Sequence, residues 1–219
     1  MKTLAFDCST TGCAAAVLDG ERVLARGEAP TGRGQSEALM PLLNGVMSEA
    51  RLDWPQLELI GVTVGPGSFT GLRIGLAAAR GFALALGIPI AGVTTAEVLA
   101  AGVPMDERGA HPILVAIDSK RAEPFVQAFA SDLTPLAPVA AMTVEAAAKL
   151  VTGVQLLVGD GAAKLVPLIS GAILSKAPTR PDPVVLARLA AWLHGEGRAL
   201  PPEPLYLREA GVTLPKTAP

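Results

Sequence analysis

The order of predicted strands and helices runs through this chain twice. In the first half, strands are predicted at residues 4–8, 13–18, 22–27, 59–64 and 89–93, and helices at residues 36–51, 70–86 and from 94 or 95 onward. The order is thus three strands and a helix, followed by two further pairs of a strand and a helix. From residue 112 a similar order recurs at residues 113–118, 124–130, a third strand before Pro138, 143–151, 155–159, 161–169, 172–176 and 183–194. A duplicated α/β pattern predicts two matched lobes with a cleft between them.

A polar segment at residues 103–110 marks the break between the predicted lobes. It places Pro104, Arg108 and Gly109 together with two acidic residues between longer apolar stretches. Boundaries between compact units fall in segments of this composition. We therefore expect an N-terminal lobe at 1–105 and a shorter, more divergent C-terminal lobe at 106–219, whose tail could pack back on the first lobe.

Each predicted lobe ends its first strand with an aspartate, Asp7 in the first lobe and Asp118 in the second. Asp7 is followed by a turn that contains Ser9 and Thr10. A carboxylate and hydroxyl groups at a strand end can hold a hydrated metal or present amide groups to a phosphate. The same residue types also stabilise tight turns without any ligand, and on the motif alone this second interpretation is the stronger.

Asp160 lies in a third candidate segment, Gly159-Asp160-Gly161, before a predicted short helix. The segment could begin an anion-binding helix, but the charge of Asp160 would repel a phosphate there. We therefore predict that Asp160 is a helix N-cap.

The charge balance of the chain limits its ligands. Of 219 residues, 17% are charged and the net charge is −2, so no positive field covers the whole protein and nucleic acid would have to be bound with help. The two histidines, His111 and His194, lie far apart at spacings that form neither a zinc site nor a catalytic triad.

The cysteines and apolar stretches indicate the compartment. Cys8 and Cys13 flank a predicted hairpin turn, and their spacing leaves a disulfide open, but nothing else indicates an oxidising compartment. The first residues are typical of a strand and not of a signal peptide. The longest apolar stretch, 81–96, is too short to span a membrane. We predict a cytoplasmic location without membrane contact.

A glycine-rich turn at residues 65–71 connects a buried strand to a helix, where free amide groups attract anions. Its spacing matches neither a Rossmann fingerprint, a Walker loop nor a serine-hydrolase elbow. The helix that follows places Gly71, Gly75 and Ala79 at four-residue intervals among apolar residues. Such a helix is covered on two faces, by its own sheet and by either a neighbouring helix or a second protein.

These motifs resemble the signatures of the TsaB/YeaZ family of the bacterial tRNA threonylcarbamoyladenosine system. The segments that carry the resemblance occur in the family's order, at residues 4–10, 36–42, 65–75, 116–123 and 204–208. The second lobe matches more loosely. The resemblance implies the α/β, two-lobed fold of actin, sugar kinases and heat-shock ATPases, a duplicated ribonuclease H-like fold.

The resemblance also implies a non-catalytic scaffold subunit. In that family the chain pairs with its catalytic paralogue TsaD, which transfers threonylcarbamoyl onto adenosine beside the anticodon, and the ATPase TsaE joins them. The chain is expected to contact tRNA only as part of the complex. In the absence of its partners it could form a homodimer. The paralogue binds metal through two histidines, whereas the corresponding helix here begins Gln35-Ser36-Glu37 without a histidine.

The family's pairing surface uses the first two helices of the N-terminal lobe. Mapped onto this sequence, it predicts a partner interface formed by Leu39, Leu43, Val46, Gly71, Ile74, Gly75, Ala78 and Phe82. Gly75→Arg is then expected to abolish docking and leave the lobe folded.

Two enzymatic alternatives stay open. The first is an autonomous phosphotransferase or ATPase, with Asp7 and Asp118 on either side of a metal nucleotide. Under this alternative ATP or ADP would bind the cleft, whereas the scaffold interpretation requires no tightly bound cofactor. The second, a glycoprotease-like metalloprotease, lacks a credible set of zinc ligands in the sequence.

Overall fold

The computed structural model describes residues 1–29 and 34–207, which form two five-stranded sheets with helices on their faces. The first half contains β1 (Lys2–Asp7), β2 (Cys13–Asp19), β3 (Arg22–Ala29), α1 (Gln35–Ala50), β4 (Leu59–Gly65), α2 (Phe69–Leu86), β5 (Ile90–Thr94) and α3 (Thr95–Ala101). The second half contains α4 (Met105–Arg108), β6 (Ile113–Ile117), β7 (Phe125–Phe129), β8 (Ala140–Ala141), α5 (Val144–Ala147), β9 (Gln155–Val158), α6 (Ala162–Leu165), β10 (Ala172–Leu174) and α7 (Pro183–Gly195).

The two sheets have the same strand order, which confirms the predicted duplication. The first sheet is ordered β3-β2-β1-β4-β5 and the second β8-β7-β6-β9-β10. In each, the first three strands form an antiparallel meander and the last two run parallel to the first strand. Both first strands, β1 and β6, therefore lie at the centre of a sheet and direct their carboxyl ends towards the same region.

The third strand of the second lobe differs from its prediction. It was expected before Pro138 but lies after it, as the short β8 paired with β7. Prolines at 135 and 138 have no amide hydrogen to donate to a ladder, and the chain between them forms only a single bridge from Pro135 to Phe129. Regular pairing resumes once the prolines have been passed.

The first sheet is covered on both faces, and the alternation of β1 shows how. Leu4 and Phe6 point to the side on which α1 and α2 pack, whereas Ala5 points to the side on which α7 packs. Small side chains let α7 approach closely, since a Cβ atom added to Gly61 would lie 2.7 Å from the Cβ of Ala190. A sheet buried on both faces explains why β4 is apolar along almost its whole length and why Leu4, Ala5 and Phe6 follow one another in β1.

The two sheets share helices across the division expected at residue 105. Helix α3, from the first half, places Ala96 and Leu99 in the core of the second sheet beside Ile113 and contributes Val98 to the core below the first. Helix α7, from the second half, packs on the first sheet. The boundary between the two halves of the sequence therefore does not coincide with the boundary between the two packed lobes.

The segment after α7 returns to the first sheet. Leu200 pairs with Gly92 of β5, and the amide of Leu205 donates to the carbonyl of Val64 at 2.7 Å. The Arg80 guanidinium of α2 donates to the carbonyl of Pro202. This segment, residues 196–207, therefore follows the carboxyl ends of β4 and β5 and covers one side of α2.

Helix α2 is long and apolar enough to cross a membrane by length and composition alone. The expectation from the sequence concerned residues 81–96, which include only the last turns of this helix. In the fold, α2 packs on the first sheet through Leu72, Leu76 and Ala79. Core helices of soluble proteins have the same length and composition, so this feature carries no membrane assignment.

Candidate functional site

A cleft of about 680 Å³ lies between the lobes at the carboxyl ends of β1 and β6. The turn after β1 and the first residues of α2 line it from the first lobe, and the loop after β6 lines it from the second. Residues 205–207 form a further side. Its volume lies in the range of small-molecule sites, and its position follows from the two central strands that end there.

Asp7 lies below this cleft and is engaged by its own lobe. The Thr63 hydroxyl donates to Oδ1 of Asp7 at 2.6 Å, and the Ser9 amide donates to the same oxygen at 2.9 Å. The Thr10 hydroxyl reaches Oδ2 at 3.5 Å. Burial raises the pKa of Asp7 although these hydrogen bonds act to lower it. The carboxylate therefore anchors the turn and a neighbouring strand, as the turn interpretation predicts.

Asp118 reaches the cleft but is neutralised by two lysines. The ammonium groups of Lys164 and Lys120 lie 3.0 and 3.2 Å from Oδ2 of Asp118. The amide of Lys120 donates to Oδ1 at 2.8 Å. Partial burial opposes ionisation, but these hydrogen bonds and charges outweigh it and lower the pKa of Asp118 to about 2. The carboxylate is ionised at neutral pH and already has its counterions.

The predicted phosphate or metal residues therefore do not form one set. Ser9, Thr10 and Asp118 line the cleft, whereas Asp7 lies behind the turn. Within residues 1–29 and 34–207, no group of three or more His, Cys, Asp and Glu side chains is arranged to hold a metal ion. A metal nucleotide held between Asp7 and Asp118 would have to displace the contacts that each carboxylate makes now.

Asp160 is not the helix cap that its position predicted. Its Oδ1 accepts a hydrogen bond from the amide of Asp118 at 2.7 Å, and Gly161 is the capping residue of α6. Burial raises the pKa of Asp160. The side chain thus ties the start of α6 to the end of β6, a contact between distant residues that a local sequence pattern cannot show.

An aromatic and cationic cluster on the first-lobe wall was missed by the sequence analysis. The Arg73 guanidinium lies 3.8 Å above the Phe69 ring, and its Nε donates to the Tyr206 hydroxyl at 3.0 Å. The Phe69 and Tyr206 rings are 5.2 Å apart. The helical spacing of Phe69 and Arg73 was a usable signal, whereas Tyr206 comes from the far end of the chain. Arg73 is the charged residue among the lining residues of the first lobe, so this wall suits an anion better than a cation, and Arg121 lines the cleft from the second lobe.

The residues predicted to form a partner interface lie on the inner side of α1 and α2. Leu39, Leu43, Val46, Gly71 and Gly75 are buried against the sheet. The other three are half-buried and pack against the same core, and the Phe82 ring stacks on Trp54 at 4.5 Å. The apolar period of a helix marks the side that faces its own core, and these residues follow that period.

Gly75→Arg is corrected for the same reason. A Cβ atom at Gly75 would lie 3.6 Å from the Cβ of Cys8, so an arginine there would enter the core. At Gly71 even a methyl group is excluded, because its Cβ would lie 1.9 Å from the carbonyl oxygen of Cys8. These glycines serve the close approach of α2 to the sheet.

The exposed side of the two helices is a different surface, which we call the outer helix face. We restrict this name to six exposed residues that are uncharged and mostly small or apolar, of which Leu84 is 87% exposed. Its members are Met40, Pro41, Asn44, Ala77, Gly81 and Leu84. Exposed apolar surface of this kind is characteristic of contact with another protein.

Two lobes with the same mixed strand order and a cleft at their central strand ends define the two-lobed α/β fold that actin-like ATPases and sugar kinases share. An activator of 2-hydroxyisocaproyl-CoA dehydratase from Clostridium difficile, solved with bound ADPNP, shares this fold at a TM-score of 0.54 and 11% identity, over 90% of this chain and 97% of that one. YeaZ from Pseudomonas aeruginosa is more similar, with a TM-score of 0.80 and 25% identity over 94% of this chain and 99% of that one.

Sequence comparisons give the family. The TsaD family model, described as tRNA N6-adenosine threonylcarbamoyltransferase, matches residues 29–164. An uncharacterised protein of Mycobacterium tuberculosis is 31% identical over 94% of this chain and 90% of its own length. The tRNA threonylcarbamoyladenosine biosynthesis protein TsaB of Escherichia coli is 32% identical over 56% of this chain and 52% of its own length. The chain belongs to the TsaB/YeaZ family.

Proposed function

We propose that this chain is a non-catalytic subunit required for threonylcarbamoylation of adenosine next to the anticodon of tRNA. In this proposal the outer helix face docks on a TsaD-like catalytic paralogue, and a TsaE-like ATPase joins the pair. The chain reaches tRNA through the complex only and works in the cytoplasm, away from membranes. The names of its relatives and the matching family model support the pathway.

The observation that carries the docking proposal is the outer helix face. Its six members include no charged residue, and Glu37, Arg73 and Arg80 are exposed on the same two helices. An apolar centre with polar groups around it is the usual anatomy of a protein interface. The same face could pair two copies of this chain when the paralogue is absent.

The assignment as a non-catalytic subunit is supported by the two strand-end carboxylates. Asp7 is occupied by Thr63 and the turn, and Asp118 by Lys164 and Lys120. Phosphoryl transfer in this class of fold needs carboxylates free to position a metal nucleotide. The proposal accordingly includes no tightly bound cofactor, and nucleotide binding in the cleft is a question for direct titration with ATP and ADP.

Gly81→Arg tests the docking. Gly81 is exposed in α2 and a side chain there meets no atom within 4 Å, so arginine is accommodated by the fold. A charge at the centre of an apolar interface costs about 2 kcal/mol or more of binding. Light scattering after size exclusion, with the TsaD-like paralogue of the same genome, should show a complex for the wild type and none for the variant.

Gly195→Arg is the matched control. Gly195 is also exposed at a helix position with no atom within 4 Å, but it lies on α7, on the opposite face of the first sheet. This variant should bind the paralogue as the wild type does. Equal binding by the Gly81 and Gly195 variants would overturn the outer helix face as the docking site. A wild-type chain that eluted separately from the paralogue would contradict the subunit proposal itself.

A further inference from the structure

The aromatic and cationic cluster on the first-lobe wall has no part in the proposed function. Its members are Phe69, Arg73 and Tyr206, and all three line the interlobe cleft of about 680 Å³. Phe69 and Tyr206 are each 44% exposed, and Arg73 is exposed as well. A molecule that enters the cleft can therefore contact these side chains directly.

Two contacts fix the orientation of the Arg73 guanidinium. Its Nε donates to the Tyr206 hydroxyl at 3.0 Å, and its central carbon lies 3.8 Å from the centre of the Phe69 ring. In the part of the chain that the structure describes, its two terminal amino groups have neither a hydrogen-bond nor an ion-pair partner. A guanidinium held in this way can pair with a carboxylate through two parallel hydrogen bonds.

The surroundings of this guanidinium are apolar. The Phe69 and Tyr206 rings are 5.2 Å apart and tilted by 33°. Leu205 and Leu207, both half-buried, line the same side of the cleft. Exposed rings bind a further ring by stacking or by edge contact, and the apolar surface that this buries adds to the affinity. The wall thus combines one site for an acid group with apolar contacts for a ring.

The turn after β6, on the other side of the cleft, does not suit a phosphate group. Backbone amides are the donors by which such turns hold phosphate. Here the Asp118 amide donates to the Asp160 carboxylate at 2.7 Å, and the Lys120 amide donates to the Asp118 carboxylate at 2.8 Å. A phosphate would have to displace these carboxylates from the amides, whereas a carboxylate bound at Arg73 displaces nothing.

We propose that this wall of the cleft is a binding site for a small aromatic carboxylic acid. The terminal amino groups of Arg73 pair with the carboxylate, and the ring of the ligand lies against Phe69 and Tyr206. Arg121 lines the cleft from the second lobe and adds a second positive charge. The site does not depend on docking at the outer helix face, so either proposal can fail without the other.

Tyr206 gives this site its own reporter, because it is the only tyrosine in the sequence. The full chain, labelled with carbon-13 at the ε positions of the tyrosine ring, gives one ring signal in an NMR spectrum. Titration with 3-phenylpropionate should shift this signal to saturation, with a Kd of about 1 mM or below. The uncharged 3-phenylpropanamide should bind at least about tenfold more weakly, because it lacks the charge that strengthens the hydrogen bonds to Arg73.

Arg73→Gln tests the anchor of the site. It removes the guanidinium and should weaken the binding of 3-phenylpropionate at least about tenfold. Arg80→Gln is the matched control, since Arg80 is exposed on the same helix, donates to the carbonyl of Pro202 and is not among the residues that line the cleft. This variant should bind 3-phenylpropionate as the wild type does.

Three results would overturn the proposal. The first is a Tyr206 signal of the wild type that does not move towards saturation with 3-phenylpropionate up to about 10 mM. The second is equal binding of the acid and its amide by the wild type, or of the acid by Arg73→Gln and the wild type, which would remove the carboxylate pair. The third is tighter binding of ATP or inorganic phosphate at the same signal, which would make phosphate the ligand class.

Discussion

The two lobes place an aspartate at the same point of the same strand order and stabilise it in opposite ways. Asp7 is buried and accepts hydrogen bonds from neutral donors, so burial raises its pKa. Asp118 is approached by two ammonium groups, and its pKa is lowered to about 2. The repeat therefore fixes a backbone position but not the charge around it. In both lobes the result is a carboxylate already occupied by the protein.

The strongest test of this difference is Asp7→Ala. The substitution removes the acceptor for the Thr63 hydroxyl and the Ser9 amide, both in a buried setting. Buried donors without an acceptor cost about 1–3 kcal/mol each, so we expect about 3 kcal/mol of unfolding free energy to be lost at neutral pH. Urea denaturation of the wild type and the variant measures this loss.

Thr63→Val provides the control for Asp7→Ala. If the two residues act through their shared hydrogen bond, the double variant should lose clearly less than the two single losses added together. A loss below about 1 kcal/mol for Asp7→Ala would show that the donors find other partners, and the distinction between the lobes would then not rest on burial.

The next effect is smaller and concerns the second lobe. Asp118→Ala should cost about 1 kcal/mol or less, because Lys120 and Lys164 are 73% and 74% exposed and return to water when their partner is removed. Urea denaturation in low and high salt checks this, since the loss should shrink as salt screens the pair. A loss as large as that of Asp7→Ala would show that the two lobes depend equally on their aspartates.

The sequence allowed the architecture to be predicted because its signals are local. Short apolar strand segments, glycine turns and the strand-end aspartates Asp7 and Asp118 each involve neighbouring residues, and their repetition indicated two lobes. The glycine-rich start of α2 was also located correctly. These features depend on backbone conformation, which short stretches of sequence largely determine.

The contacts that define the sites were not predictable in the same way. Lys164 reaches Asp118, Tyr206 reaches Arg73 and Arg180 reaches Thr11 across more than forty positions of the chain. The residues predicted to form a partner interface face the core of the first sheet, because the apolar period of a helix identifies its core side. A surface is defined by what the fold leaves exposed, and that requires the tertiary structure.

The smallest expected effect is a difference in the sign of pH dependence. Asp118 has a pKa of about 2 in the folded chain against a usual value of 3.8, so its contribution to stability is present above pH 3.8 and is lost as the pH falls towards 2. Asp7 has a raised pKa when folded, so ionising it opposes folding above pH 3.8, and this cost disappears as the pH falls. Between pH 6 and 2 the destabilisation caused by Asp118→Asn should therefore fade, whereas that caused by Asp7→Asn should grow. Denaturation curves of both variants against the wild type across this range measure the two trends. If the destabilisation changed with pH in the same direction for both variants, the two aspartates would be stabilised in the same way. Opposite changes would show that burial determines the pKa of Asp7 and that pairing with lysines determines the pKa of Asp118.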